Sequence, residues 1–161
     1  PEKLSWVNQE HMKRLPPDVL GARLEPFLAL AGLDPNAGPP AADVAALLRD
    51  RVATLVEMAD AAHYFYAAPH SKPEFLAQHV PEASRAALEA LHGGLAGVAW
   101  TREAIGALLK STASTFGLKP PQVMMPLRAL VCGTPSTPAI DAVLALLGRD
   151  EVASRLAAGL A

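Results

Sequence analysis

Cysteine is almost absent from this chain of 161 residues: Cys132 stands alone, which excludes an internal disulfide and suits a reducing compartment. Aromatic side chains make up 5% of the residues and β-branched ones are sparse, which argues against a sheet-built core. No apolar run approaches the length of a membrane span, and no signal-peptide pattern is visible. An excess of charge of one sign is lacking too. The net charge is −2, whereas a domain built mainly to coat nucleic acid is strongly basic, so composition alone leans mildly against that role.

Catalytic patterns are equally scarce. None of His11, His63, His70, His79 and His92 is paired with another histidine or with cysteine at metal-ligand spacing, so no zinc site is expected. Gly93-Gly94 lacks the lysine and the preceding strand of a phosphate cradle. Cys132 ends the apolar stretch Leu130-Val131-Cys132 and reads as a small buried side chain rather than a nucleophile. Asp150-Glu151 opens a helix, where the dipole alone accounts for acidic residues. No residue is therefore assigned a catalytic role.

What is present favours helix. Hydrophobic residues are 51% and charged residues 19%, with alanine and leucine frequent, which marks a folded chain with a core. Helical spacing predicts elements over Glu2–Leu15 and Asp18–Leu33, the second with a kink or break at Pro26. Asp34–Pro40 is a loop by composition. Asp43 is expected to cap one long helix reaching Tyr66, with Arg51 in its register. Ala67–Pro73 is the best linker, and the boundary placed there gives helical subdomains over 1–70 and 71–161. In the second, Glu74–His79 is a short segment, Pro81 opens a helix, and Thr101 caps the next, which ends at Gly117. Further helices are expected over Gln122–Val131, from a Thr137-Pro138 cap to Gly148, and over Asp150–Leu160. The expected fold class is all-α.

The distribution of charge is more informative than its sum. From Ala104 through Ile140 there is no acidic residue, while Lys110, Lys119 and Arg128 supply positive charge. Three cations make a thin patch, and a lightly charged chain produces such gaps by chance. The Thr134–Ala139 turn lies in this stretch and leads into a helix N-terminus, where free N–H groups hold anions or base-edge acceptors. Arg49 and Arg51 add cations elsewhere, but Asp50 between them also fits an ordinary solvated face.

These residues carry a resemblance. Val123-Met124-Met125-Pro126-Leu127-Arg128, then Gly133, Thr137-Pro138 and Leu144-Ala145-Leu146-Leu147-Gly148, resemble the V-x-x-P-L-R, glycine, proline-turn and L-x-L-L-G order at the C-terminal end of bacterial glutamyl-tRNA synthetases. Lys3-Leu4-Ser5-Trp6-Val7-Asn8 is similar to that family's K-L-x-W-x-N segment, and Trp100-Thr101, Lys110 and Lys119 fall at the family's spacing. The likeness covers essentially the whole chain.

It implies the anticodon-binding region of a class I synthetase, all-helical and built of two subdomains. The nucleotide-binding catalytic domain, with its HIGH-type and KMSKS-type signatures, is then expected before Pro1, so that this piece holds no cofactor while ATP and Mg serve the full-length ligase. The implied partners are the tRNA for glutamate, through its anticodon loop, and that catalytic domain, in a cytoplasmic monomer with no membrane contact. By the resemblance Arg128 reads the first anticodon base, a cytosine, and Thr137, Pro138 and Ile140 form the turn beside the first and middle bases. Arg51 takes the position that senses the third base, accepting cytosine and excluding guanine, and Lys110 and Lys119 contact the RNA backbone. Ile140 stands where leucine is common, and Pro120-Pro121 replaces a lysine-rich or glycine-containing stretch of some relatives. Trp6 and Trp100 are expected to be packing anchors. The rival reading is an all-helical protein-interaction module of a larger cytoplasmic protein.

Overall fold

Leucines at every fourth position build the core of the first unit. The structure, a computed structural model, describes residues 2–161, with side chains from residue 7 onward; the packing role expected of Trp6 lies outside the described residues. The chain divides into two units, one through Ala67 and one from Ala68. Among the described residues there are eleven α-helices, one 3-10 turn and no strand, which is the expected all-α class.

In the first unit, α1 (Glu2–Arg14) ends before Pro16, and Pro17 occupies the first position of α2 (Pro17–Leu30). Leu20, Leu24 and Leu28 project from one face of α2 and are fully buried against α3 (Ala41–Leu48) and α4 (Leu55–Ala61). The approach of α2 to α3 is close enough to need glycine: a Cβ on Gly21 would lie 2.4 Å from the Ala42 nitrogen. Pro26 lies inside α2, which continues through it as one element without a break. Pro26 and Ala22, whose carbonyl loses its donor, both face solvent, where water can take the place of the missing N–H.

The single long helix expected from Asp43 to Tyr66 is in fact three: α3, α4 and the short α5 (His63–Tyr66). Asp43 sits in the first turn of α3 and does not cap it; Pro40 precedes the helix without a side-chain cap. The break has a local cause. Thr54 Oγ1 accepts from the Glu57 N–H at 3.1 Å, and Glu57 Oε2 accepts from the Ala53 N–H at 2.8 Å. This reciprocal box starts a new helix at Leu55 and leaves residues 49–54 as a turn. The loop before α3 is pinned by the buried Tyr66, whose hydroxyl donates to the Pro39 carbonyl at 3.0 Å.

The second unit contains α6 (Pro73–His79), α7 (Glu82–Gly94), a 3-10 turn (Leu95–Gly97), α8 (Arg102–Thr115), α9 (Pro121–Cys132), α10 (Ile140–Leu147) and α11 (Arg149–Leu160). Helix α7 packs on α8, α9 and α11, and α8 packs on α10, so the core lies between them. Leu88, Leu91, Leu109, Leu127, Leu144 and Leu156 fill it, each fully buried. Thr101 caps α8 as its sequence position predicts, its Oγ1 accepting from the Ala104 N–H at 3.2 Å. Gly133 ends α9 at φ +71°, a left-handed conformation, and a Cβ there would also meet Pro69 at 2.7 Å. Buried Arg155 joins α11 to α9, bonding Glu151 at 2.8 Å and the Val131 carbonyl at 3.0 Å. No helix among the described residues is long and apolar enough to cross a membrane.

Candidate functional site

Arg128 owes its place to the pattern of α9. Leu127, Leu130 and Val131 turn inward, which leaves Arg128 half-buried at the edge of the helix. Nine residues later, the turn that follows Gly133 brings Thr137 back to it. Arg128 Nε donates to Thr137 Oγ1 at 3.0 Å, and Thr137 Oγ1 donates to the Pro138 carbonyl at 2.8 Å. Arg128 Nη1 also approaches Met125 Sδ at 3.4 Å. The turn braces itself as well, with Thr134 Oγ1 accepting from the Ser136 N–H at 3.1 Å.

Thr137 and Pro138 therefore do not open the following helix, as the cap expectation had it. Helix α10 begins at Ile140 after Ala139, and the Thr137 hydroxyl is occupied by Arg128 and Pro138. A tertiary partner has outcompeted the local capping bond. Thr137 and Pro138 are buried, and Ile140 is only 2% exposed. The side chains of Thr137, Pro138 and Ile140 thus serve the core, while Pro135, Ser136 and Ala139 of the same turn are exposed. At the start of α10, Asp141 accepts from the Ala142 N–H at 2.8 Å and pairs with Arg102 at 3.2 Å.

The remaining predicted residues are dispersed. Lys110 lies on α8 and Lys119 precedes α9; both are exposed, and neither side chain has a partner among the described residues. The Lys119 N–H is bound by Gln122 Oε1 at 2.8 Å, which fixes the loop backbone and leaves the ammonium group in water. Arg51 belongs to the first unit, in the turn between α3 and α4 rather than on a helix. Its side chain is exposed and forms no ion pair with Asp50.

Met125 was missed as a participant, although it lies inside the motif that includes Arg128. The available signal is its spacing: three residues before Arg128 on a helix, on the same face. It is 42% exposed, and Phe116, at the end of α8, is 41% exposed. These are the large apolar side chains most open to water in the second unit, and both fall within the segment lacking acidic residues.

Chemically the Arg128 site is a donor site. A guanidinium has five N–H groups. One is committed to Thr137 and one faces Met125, and the others have no partner among the described residues. Their planar fork suits paired acceptors such as a carbonyl oxygen beside a ring nitrogen. Cys132, close in sequence, adds no reactive group: burial pushes its thiol up to about 12, against the smaller opposing effects of Arg155 and Arg128. Trp100 is packed under Arg149, whose guanidinium carbon lies 5.4 Å from the ring centroid. No three His, Cys, Asp or Glu side chains converge as metal ligands among the described residues.

Residues 19–160 match the family described as the Anticodon binding domain. The chain is 46% identical over 159 residues to the glutamate–tRNA ligase of Dechloromonas aromatica, covering 99% of this chain and 34% of that protein. It is 45% identical to the glutamate–tRNA ligase of Azoarcus, covering 97% of this chain and 33% of the other. The chain thus spans about a third of the length of the curated relatives it matches. Its fold is that of part of a glutamate–tRNA ligase from Elizabethkingia meningosepticum crystallised with its amino acid. That likeness has a TM-score of 0.85 at 20% identity and covers 99% of this chain and 32% of the other.

Proposed function

Since the chain belongs to the anticodon-binding domain family, we propose that it is the tRNA-reading third of a glutamate–tRNA ligase. In this reading the whole protein is a cytoplasmic monomer that uses ATP and Mg to join glutamate to its tRNA. The chemistry belongs to a catalytic domain outside this chain, and the two helical units act as the two anticodon-binding subdomains. Arg128 reads the first anticodon base, and the Thr137–Pro138–Ile140 turn borders the first and middle bases. Arg51 senses the third base, while Lys110 and Lys119 hold phosphates and position the RNA without reading it.

The observation that carries the reading is the half-buried Arg128 fork, held against Thr137 in a segment without acidic residues and within the matched region. Splayed single-stranded bases present their acceptor edges to such a fork. Arg128→Ala in a full-length ligase carrying this region is expected to lower aminoacylation by tenfold or more, about the worth of one bidentate contact. Glutamate activation, measured by pyrophosphate exchange with tRNA present, should change much less. Equal loss of both activities would defeat the recognition role.

A further inference from the structure

Sulfur is rare in this chain, and it is unevenly placed. Of the four methionines, Met58 is fully buried, Met12 is 5% exposed and Met124 is half-buried, whereas Met125 is 42% exposed. The lone Cys132 is buried, and burial pushes its thiol up to about 12, so little of the reactive thiolate forms near neutral pH. Met125 is thus the sulfur most open to an oxidant. It also touches the arginine of the candidate site, Arg128 Nη1 donating to its Sδ at 3.4 Å. Building on the reading of Arg128 above, we propose that Met125 is a site of reversible oxidation by a hydroperoxide, and that its sulfoxide oxygen captures the Arg128 guanidinium and so weakens RNA binding.

With hydrogen peroxide as the oxidant, a lone pair on Sδ attacks one peroxide oxygen. The O–O bond breaks as the S–O bond forms, and two electrons pass from sulfur to the peroxide. The proton of the transferred oxygen moves to the departing one, which leaves as water. Two thiols of a methionine sulfoxide reductase reverse the change, giving thioether, disulfide and water. Oxidation alters the acceptor that faces Arg128. A thioether sulfur accepts weakly. A sulfoxide oxygen is far more polar, and a bond to it from a guanidinium is charge-assisted. No carboxylate on the same stretch competes, because no acidic residue lies from Ala104 through Ile140. The bond from Arg128 Nε to Thr137 Oγ1, at 3.0 Å, keeps the head beside Met125. The new oxygen sits three residues earlier on the same face of α9 and occupies an Nη1 donor from within the protein. An RNA acceptor then has to displace it, and the cost appears as lost affinity whichever RNA group Arg128 meets.

The test treats the chain with hydrogen peroxide, removes the peroxide, and measures equilibrium binding of an anticodon stem-loop RNA. Peptide mass spectrometry locates the added oxygen. The proteins are wild type, Met125→Leu and Arg128→Gln, each compared with its own untreated sample. Leucine keeps the apolar bulk of methionine and removes the sulfur. Met125 is expected to oxidise before Met12, Met58, Met124 and Cys132, and wild-type affinity to fall about tenfold, the worth of one hydrogen bond to a charged group. Methionine sulfoxide reductase should restore that affinity. Peroxide should change the affinity of Met125→Leu and of Arg128→Gln much less. Oxidation of another sulfur as fast as Met125, an unchanged wild-type affinity, a loss that the reductase does not reverse, or a full loss in Met125→Leu would each overturn the proposal. If untreated Arg128→Gln binds RNA weakly and still suffers the full peroxide loss, the capture of Arg128 fails while the reading of Arg128 stands. If untreated Arg128→Gln binds as tightly as wild type, that reading fails, and the capture with it.

Discussion

Arg128 and Arg51 are both cations in a lightly charged chain, and their surroundings assign them different work. Arg128 is half-buried, bonded through Nε and flanked by a thioether. Arg51 is exposed on a turn with no ion pair to its neighbour Asp50, so its donors remain open to a ligand and its position depends on backbone alone. The turn is held by the Arg51 N–H bonding the Leu48 carbonyl at 2.9 Å and by the Glu57–Ala53 bond beyond it. If Arg51 senses the third anticodon base, Arg51→Gln should reduce the preference for cytosine over guanine there about tenfold, the low end for one base contact. Competition between stem-loops ending in cytosine and in guanine measures this directly. An unchanged ratio would return Arg51 to an ordinary surface role.

Packing of whole elements overrides propensity at several points. Gly21 lies inside α2, where alanine is intrinsically better by about 1 kcal/mol. The α3 backbone is too near for that gain to be realised, because the added Cβ would fall 2.4 Å from the Ala42 nitrogen. Gly21→Ala is therefore expected to destabilise the first unit by about 1–3 kcal/mol, the usual cost of overpacking. A urea titration followed by circular dichroism reads the change in midpoint, and a midpoint that rises would show the helices free to move apart. The same logic explains why the apolar register over Asp43–Tyr66 misled. Val44, Leu48, Leu55 and Met58 keep helical spacing, but Thr54 and Glu57 restart the helix between them. The signal was a Thr-x-x-Glu box inside an apolar run, and periodicity alone passes over it.

For the molecule as a whole, the division into two units and the dispersal of cations predict how RNA binding responds to salt. Lys110 and Lys119 are unpaired among the described residues, so neutralising them breaks no ion pair seen in the structure. Lys110→Gln and Lys119→Gln are each expected to weaken every stem-loop alike and to reduce the slope of log affinity against log salt by ~0.7, the value for single strands. Filter binding between low and physiological salt checks both. A binding surface nearly indifferent to salt would instead favour the protein-interaction reading. Base preference should be unchanged in both lysine variants, which separates them from Arg51→Gln.

The order of motifs and the helical class could be read along the chain, because periodicity, glycine stops and helix-entry prolines act over a few residues. Thr101, Gly133 and Gly148 mark helix ends by local chemistry, and the helices end at them or beside them. Arg128 and Thr137 could be picked out as candidates, since they lie in motifs of recognisable spacing. Their relation could not. In the sequence Thr137-Pro138 looks like a helix cap; in the fold its hydroxyl belongs to an arginine nine residues earlier. Ile140 reads as an apolar contact and is buried, and Arg51 reads as a helical residue and lies on a turn. Sequence by itself determined which elements form and which side chains are available. Only tertiary structure decided which hydrogen bond each hydroxyl makes, because local and distant partners for one proton differ by little energy and the packing of α9 against its neighbours brings the distant one within reach.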